Sequence, residues 1–357
     1  MKILISGICG FVGSNLAQGL LDNVAGREII GLDNLSRAGS QLNLEPLRKR
    51  GIAVRHADLR SASDLESISA VDWIIDAAAN PSVLAGVDGA TSSRQLIEHN
   101  LYGTVNLLEV AKRCRAGFTL LSTSRVYSVK SLSEIPVVAA DAAFAPDLTL
   151  PLPRGVSEHG IAETFSTAAP VSLYGASKLA SECVALEYGQ AFEFPVWINR
   201  CGVLAGAGQF GHAEQGIFSF WINAHLRRQP LKYIGFDGAG HQIRDCFHPR
   251  DLLPLLEKQF ETRDSDKPRI VNLGGGPENA MSLTQLSKWC EARFGPHEVA
   301  SDPTPRPFDV PWLVMDSRLA KKTWGWQPSV ALEAILDEIA EHAKEHPKWL
   351  EDSVPFH

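Results

Sequence analysis

Lys2-Ile3-Leu4-Ile5-Ser6-Gly7-Ile8-Cys9-Gly10-Phe11-Val12-Gly13 decides the reading of this chain. An apolar run of strand length, Lys2 to Ser6, breaks at Gly7. A Gly-x-x-Gly-x-x-Gly turn then leads into helical apolar spacing at Leu16, Leu20 and Leu21, predicting a helix from Gly13 to Asn23. Glycine is needed where the backbone turns tightly and where a pyrophosphate must come close to it. The following helix offers free N–H groups and the positive end of its dipole. A second strand, Glu28 to Leu32, runs into Asp33-Asn34. A carboxylate there accepts hydrogen bonds from the adenosine ribose hydroxyls and repels a 2′-phosphate, so NAD is favoured over NADP. Arg37, four residues on, is a cation that could accommodate such a phosphate. Asp58-Leu59 follows the third strand and is placed to meet the adenine.

Outward from this unit, short strands alternate with longer helices. Further strands are expected at Ala53 to His56, Trp73 to Ala77, Phe118 to Ser122, Val196 to Asn199 and Arg269 to Leu273, with helices at Gly103 to Cys114 and Ser177 to Gln190. This alternation predicts an α/β fold, a Rossmann-type doubly wound parallel sheet covered on both faces. Residues 1–200 are read as an NAD-binding domain with an insertion at 128–170. Residues 201–357 are read as a smaller, mainly substrate-binding domain, with segments near 232–273 returning to the first. The insertion carries Pro136, Pro146, Pro151, Pro153 and Pro170, has little periodicity, and has a length suited to a lid. Loops are expected at Gly206 to Gly216, Gly235 to Gly240 and Pro303 to Pro311, and a loosely held tail from Trp349 to His357.

Composition narrows the function classes. The 357 residues are 45% hydrophobic and 21% charged, as in an ordinary soluble globular protein, and the net charge is −7. That charge gives no electrostatic reason to expect nucleic acid or an anionic membrane as a partner. Met1-Lys2 runs straight into a strand, without the long apolar region of a signal peptide. Cys9, Cys114, Cys183, Cys201, Cys246 and Cys290 form no CxxC pair and no Cys/His cluster of zinc spacing. Reduced thiols in a cytoplasmic protein, and no metal, are expected.

Tyr174-Gly175-Ala176-Ser177-Lys178 puts a phenol and an ammonium four residues apart on one helix face. A lysine beside the phenol favours phenolate, which can take a proton from a substrate hydroxyl as hydride leaves the same carbon.

With these elements the chain resembles the extended short-chain dehydrogenase/reductase family of nucleotide-sugar enzymes over nearly its whole length. The matching runs include Gly7 to Gly13, Asp33-Asn34, Asp58-Leu59, Asn100-x-x-Gly103-Thr104, Ser122 to Tyr127, Tyr174 with Lys178, and Arg200. Later runs are Ile243-Arg244-Asp245-x-x-His248-x-x-Asp251-Leu252, Asn272 to Gly275, and Trp324-Gly325-Trp326-x-Pro328. The resemblance implies that Thr123 hydrogen-bonds the reacting sugar oxygen, Tyr174 is the base and Lys178 binds the nicotinamide ribose. It places Phe11, Val12, Ala77, Ala78 and Asn100 with the glycines around NAD. It also implies a homodimer built on two helices per subunit.

In the sugar 4,6-dehydratases the two residues after the threonine are acidic and move protons during water loss. Here they are Ser124 and Arg125, which disfavours dehydration. Asp33 to Arg37, the basic residue at 125, the long Tyr127-to-Tyr174 interval, Gly206-x-x-Gln209-Phe210 and Gly238 to Asp245 look most like the CDP-paratose 2-epimerases. The departures are Asp76 where relatives commonly have His, Ser128 where Gly is usual, and Cys201-Gly202-Val203 in place of a more polar or aromatic segment.

A nucleotide sugar carries two phosphates. Arg244 stands where relatives bind them, and Arg306 resembles a second contact; a guanidinium can bind phosphate oxygens bidentately. The competing role for Arg244 is an ion pair with Asp245 or Asp251. Ser124, Arg125 and Gln209 complete the expected substrate contacts, with Phe210 at the pocket wall. Trp324, Trp326, His241 and His248 are read as structural.

The expected activity is an NAD-dependent nucleotide-sugar epimerase, inverting C2 of a CDP-sugar through a transient keto-sugar. A keto-sugar reductase with exchangeable NAD(P) is the alternative. A dinucleotide-sensing protein without chemistry would be expected to lack Tyr174 or Lys178.

Overall fold

The computed structural model describes residues 1–87, 89, 92–211, 215–263 and 266–353. Seven parallel strands form the main sheet: β1 (Lys2–Ser6), β2 (Glu28–Asp33), β3 (Ala53–His56), β4 (Trp73–Asp76), β5 (Gly117–Thr123), β6 (Val196–Cys201) and β7 (Ile270–Leu273). Their order is β7-β6-β5-β4-β1-β2-β3. The order reverses between β1 and β4, and in such sheets ligands bind at the carboxyl ends of the strands beside that switch point.

Continuous apolar strands suit a sheet buried on both faces. Ile3, Ile5, Trp73, Ile75, Trp197 and Val271 point to one face. There they pack on Leu16 and Leu20 of α1 (Phe11–Asn23). Leu4, Ile74, Phe118, Leu120 and Ile198 point to the other, against α2 (Gly103–Cys114) and α3 (Ser172–Phe192). α3 begins five residues before the expected Ser177, so Tyr174 lies in its first turn.

Beyond β6 the chain leaves the sheet and comes back. Residues 231–234 stay with the smaller sheets, pairing with 299–302. The return to the main core starts at Phe247 and runs through α4 (Leu253–Glu261) into β7. A second return, α5 (Arg318–Trp324) with Trp326, covers the same face. A smaller four-stranded sheet joins 203–204, 243–247, 280–282 and 312–313. Its neighbouring core is built from helices 217–226, 283–294 and α6 (Leu332–Glu345).

The 128–170 stretch, whose length suits a lid, is anchored to the later half of the chain. It folds into a short helix and two hairpins, 137–146 and 156–161. These are tied to the later half through Phe144 N to His241 O, Ile161 N to Val314 O and Ser282 Oγ to Ala142 O. No residue of this stretch lines either large cavity described below. Among the described residues no helix is long and apolar enough to cross a membrane.

Candidate active site

A cavity runs along the carboxyl ends of β1, β2, β4, β5 and β6. Its floor is the glycine turn. Gly7 has φ 62°, and a Cβ there would lie 2.9 Å from the Ala78 Cα; a Cβ on Gly13 would strike the Gly7 carbonyl. α1 starts at Gly10 with no side-chain cap and no acidic residue in its first turn, so its N–H groups are left for an anion. The wall includes Phe11, Val12, Ala77 and Ala78. Ser6 Oγ holds the last two in place, accepting from both their N–H groups at 3.0 Å while donating to Asp76. This turn fits a dinucleotide pyrophosphate.

Asp33 is buried at the wall and accepts from Cys9 N (2.9 Å) and Leu35 N (2.8 Å). Burial pushes its carboxyl up, and the two N–H bonds oppose that. Asn34 donates to Asp58, which Arg60 chelates and holds well below the usual carboxylate range. Leu59 and His99 complete this end. Arg37 lines the cavity too, but it donates to Gln215 Oε1 (2.7 Å) and Phe210 O (2.9 Å), bridging to the facing loop. Asn100 does not line the cavity. It is buried, joining Asn80 to Ser177 of α3. Asp76, the departure from the family histidine, is likewise buried and held by Ser6 and Thr104 (both 2.7 Å).

At the inner end β5 delivers Thr123 and α3 delivers Tyr174, and both line the cavity. Burial pushes the Tyr174 phenol up to about 12, against the opposing effects of Thr123 and the Arg125 charge. Lys178, one turn further along α3, is buried below, and its neighbouring charges are Asp76 and Glu182. Tyr127, the other tyrosine near the motif, is fully buried on Asn272 (2.7 Å) and does not reach the cavity. Glu182, which the sequence did not single out, is bonded to Ser122 and Arg200.

A second cavity adjoins the first. Ser124 and Arg125 line both. Arg125, Lys232, Arg244 and Arg306 line the second, against one acidic side chain, Asp309, among the described residues. Arg244 pairs with Asp309 at 2.8 Å, not with Asp245 or Asp251. Asp245 is buried, accepts from Gly276 N and is pushed up to about 7; Asp251 holds Ser329. Gln209 and Phe210 lie on the first cavity instead of the second. His248 bonds Glu338, His241 packs on Phe144, and Trp324 and Trp326 are core.

The expected loose tail is docked as far as the structure describes it; residues 354–357 lie outside the described residues. Trp349 stacks on Phe210 (5.1 Å) and donates to Gln209 O (2.8 Å). Trp349→Ala should cost about 3–5 kcal/mol in urea unfolding and speed loss of dinucleotide on gel filtration. Unchanged values for both would show that this contact does not hold the cavity wall.

Residues 3–274 match the description of the NAD dependent epimerase/dehydratase family. A CDP-paratose 2-epimerase from Salmonella typhi is 26% identical over 339 residues, covering 93% of this chain and 96% of the relative. A dTDP-glucose 4,6-dehydratase from Streptomyces niveus is 26% identical over 360 residues, covering 98% and 95%. The structure of a UDP-glucuronic acid 4-epimerase from Bacillus cereus, in complex with UDP-glucuronic acid and NAD, superposes with a TM-score of 0.71 at 22% identity, covering 97% of this chain and 99% of that one. The glycine cradle and the length of the match agree: this chain belongs to the NAD-dependent epimerase/dehydratase family, and its cofactor is NAD.

Proposed function

We propose that the protein is a nucleotide-sugar epimerase that inverts a sugar carbon, C2 of a CDP-linked sugar, by transient oxidation and re-reduction. The observation that carries this reading is the company Tyr174 keeps. Thr123 and Tyr174 meet where the cofactor cavity joins one lined by four cations, and the residues beside them are Ser124 and Arg125. Four cations against one carboxylate suit a diphosphate, and Arg244 with Arg306 are assigned to it. Dehydration needs a carboxyl acid and base at the neighbouring carbons. Asp33 and Asp58 lie on the cofactor wall, and Asp309 is bonded to Arg244.

Tyr174 takes the proton of the sugar hydroxyl and returns it after the keto-sugar has presented its other face. Thr123 orients that oxygen, and Lys178 holds the nicotinamide ribose. Bound NAD supplies the acceptor and donor of hydride. Residues 1–200 with β7 form the cofactor half, and most of 201–357 forms the substrate half. The cofactor is regenerated each cycle, so exchange is not required. The protein is assigned as a cytoplasmic homodimer through α2 and α3.

The first test is to denature freshly purified protein without added cofactor and identify any released dinucleotide by mass spectrometry. Near-stoichiometric NAD is expected, with a panel of CDP-sugars as the next assay. An empty site would favour the keto-sugar reductase with exchangeable cofactor.

A further inference from the structure

We propose that Arg37 and Gln215 form a clasp across the cofactor cavity that slows the release of bound NAD. The inference needs the cofactor site alone and goes beyond the sugar chemistry. Two observations carry it.

The first is the bridge itself. Asp33, Asn34, Ser36 and Arg37 line one side of the cofactor cavity, and Gln209, Phe210, Gln215 and Gly216 line it from the facing segment. The Arg37 guanidinium joins the two, donating to Gln215 Oε1 at 2.7 Å and to Phe210 O at 2.9 Å. It can serve both acceptors at once because its N–H donors are fixed in one plane. Asp33, four residues before it, stands where a dinucleotide site accepts the adenosine ribose hydroxyls. The bridge therefore spans the cavity beside its adenosine end.

The second is that both ends of the bridge are anchored. Beyond Arg37 the chain turns at Gly39, with φ 87°, so close to Phe210 that a Cβ there would lie 2.6 Å from its ring. Across the cavity, Gln209 O accepts from Ser219 Oγ at 2.9 Å and from Trp349 Nε1 at 2.8 Å, and Ala207 N donates to Glu338. These partners belong to helix 217–226, the last turn Trp349–Asp352 and α6. The facing segment cannot swing outward as a whole without breaking several of these contacts together.

Parting the two sides costs the bridge, and that cost appears in the release rate, where most differences in affinity between related complexes lie. Both bonds have a charged donor, which makes them stronger than neutral ones.

The test is a chase. Protein is loaded with isotopically labelled NAD, freed of excess by gel filtration and mixed with unlabelled NAD, and the label still bound is followed with time. Arg37→Met and Gln215→Leu are each expected to speed release about tenfold or more, the worth of a hydrogen bond to a charged group. The Arg37→Met/Gln215→Leu double variant should match Arg37→Met, because the two changes break one bridge. Additive effects would mean that each side chain holds NAD on its own, and would overturn the clasp. So would release rates equal to wild type in both single variants, whatever their urea unfolding midpoints, since that is what a merely structural contact predicts. No sugar enters the chase, so its result stands apart from the proposed reaction. A working clasp in a protein that turns over no nucleotide sugar would count against the epimerase reading alone.

Discussion

Tyr174→Phe is expected to lower turnover by about two to four orders of magnitude, the usual contribution of a positioned general base. The substitution removes one oxygen and keeps the ring. Tyr174 is only 7% exposed, on the wall of the cofactor cavity beside Thr123. Stability should therefore change by only about 1 kcal/mol, the net worth of one hydrogen bond. NAD content should match wild type, because the cradle is made by Gly7, Gly10, Gly13 and Asp33 on other elements. Activity is checked by product formation and NAD by release on denaturation. Unchanged turnover would remove Tyr174 from its role.

Arg200→Met is expected to destabilise the fold by about 3–5 kcal/mol, the range for breaking a buried ion pair. Arg200 and Glu182 form a forked ion pair with side chains only 6% and 2% exposed, the closest contact being 2.6 Å. Loss of the guanidinium leaves a carboxylate buried against Ser122 without its counter-ion, and weakens the link to the Tyr127 hydroxyl. Urea unfolding measures the loss. A Glu182→Leu/Arg200→Met double variant should recover part of it, since removing both charges avoids an uncompensated one. Equal stability of wild type and Arg200→Met would show that the pair contributes nothing.

The two halves of this protein were unequally legible in its sequence. The turn at Gly7 to Gly13 and the strands around it follow from local pattern, because a parallel strand is buried on both sides and shows as an apolar run. The predicted helix Gly103 to Cys114 agrees with α2 to the residue. What local pattern could not supply was partnership across distance. Arg244 bonds a carboxylate 65 positions away, and Arg37 bonds Gln215, 178 positions away. Neither spacing leaves a mark on the sequence. The hairpins of 128–170 were hidden for a related reason. Their strands are only two to four residues long, and they are steadied by contacts to His241 and Val314. The start of α3 is marked by Ser172, which has φ 70° and accepts from Gly175 N at 3.1 Å, a cap that the apolar spacing from Ser177 onward does not reveal.

The late return of the chain to the main sheet has a consequence for how the protein is made. β7 comes from residues 270–273, and one face of the sheet is completed by Ala320, Trp324 and Trp326. As the chain leaves the ribosome, the cofactor half has its glycine turn early but not its full hydrophobic cover. It must wait for most of the second half to be synthesised before that face can close. Cutting at residue 200 would accordingly not release a self-sufficient nucleotide-binding module. It would leave Trp197, which stacks edge-on with Trp324, facing water.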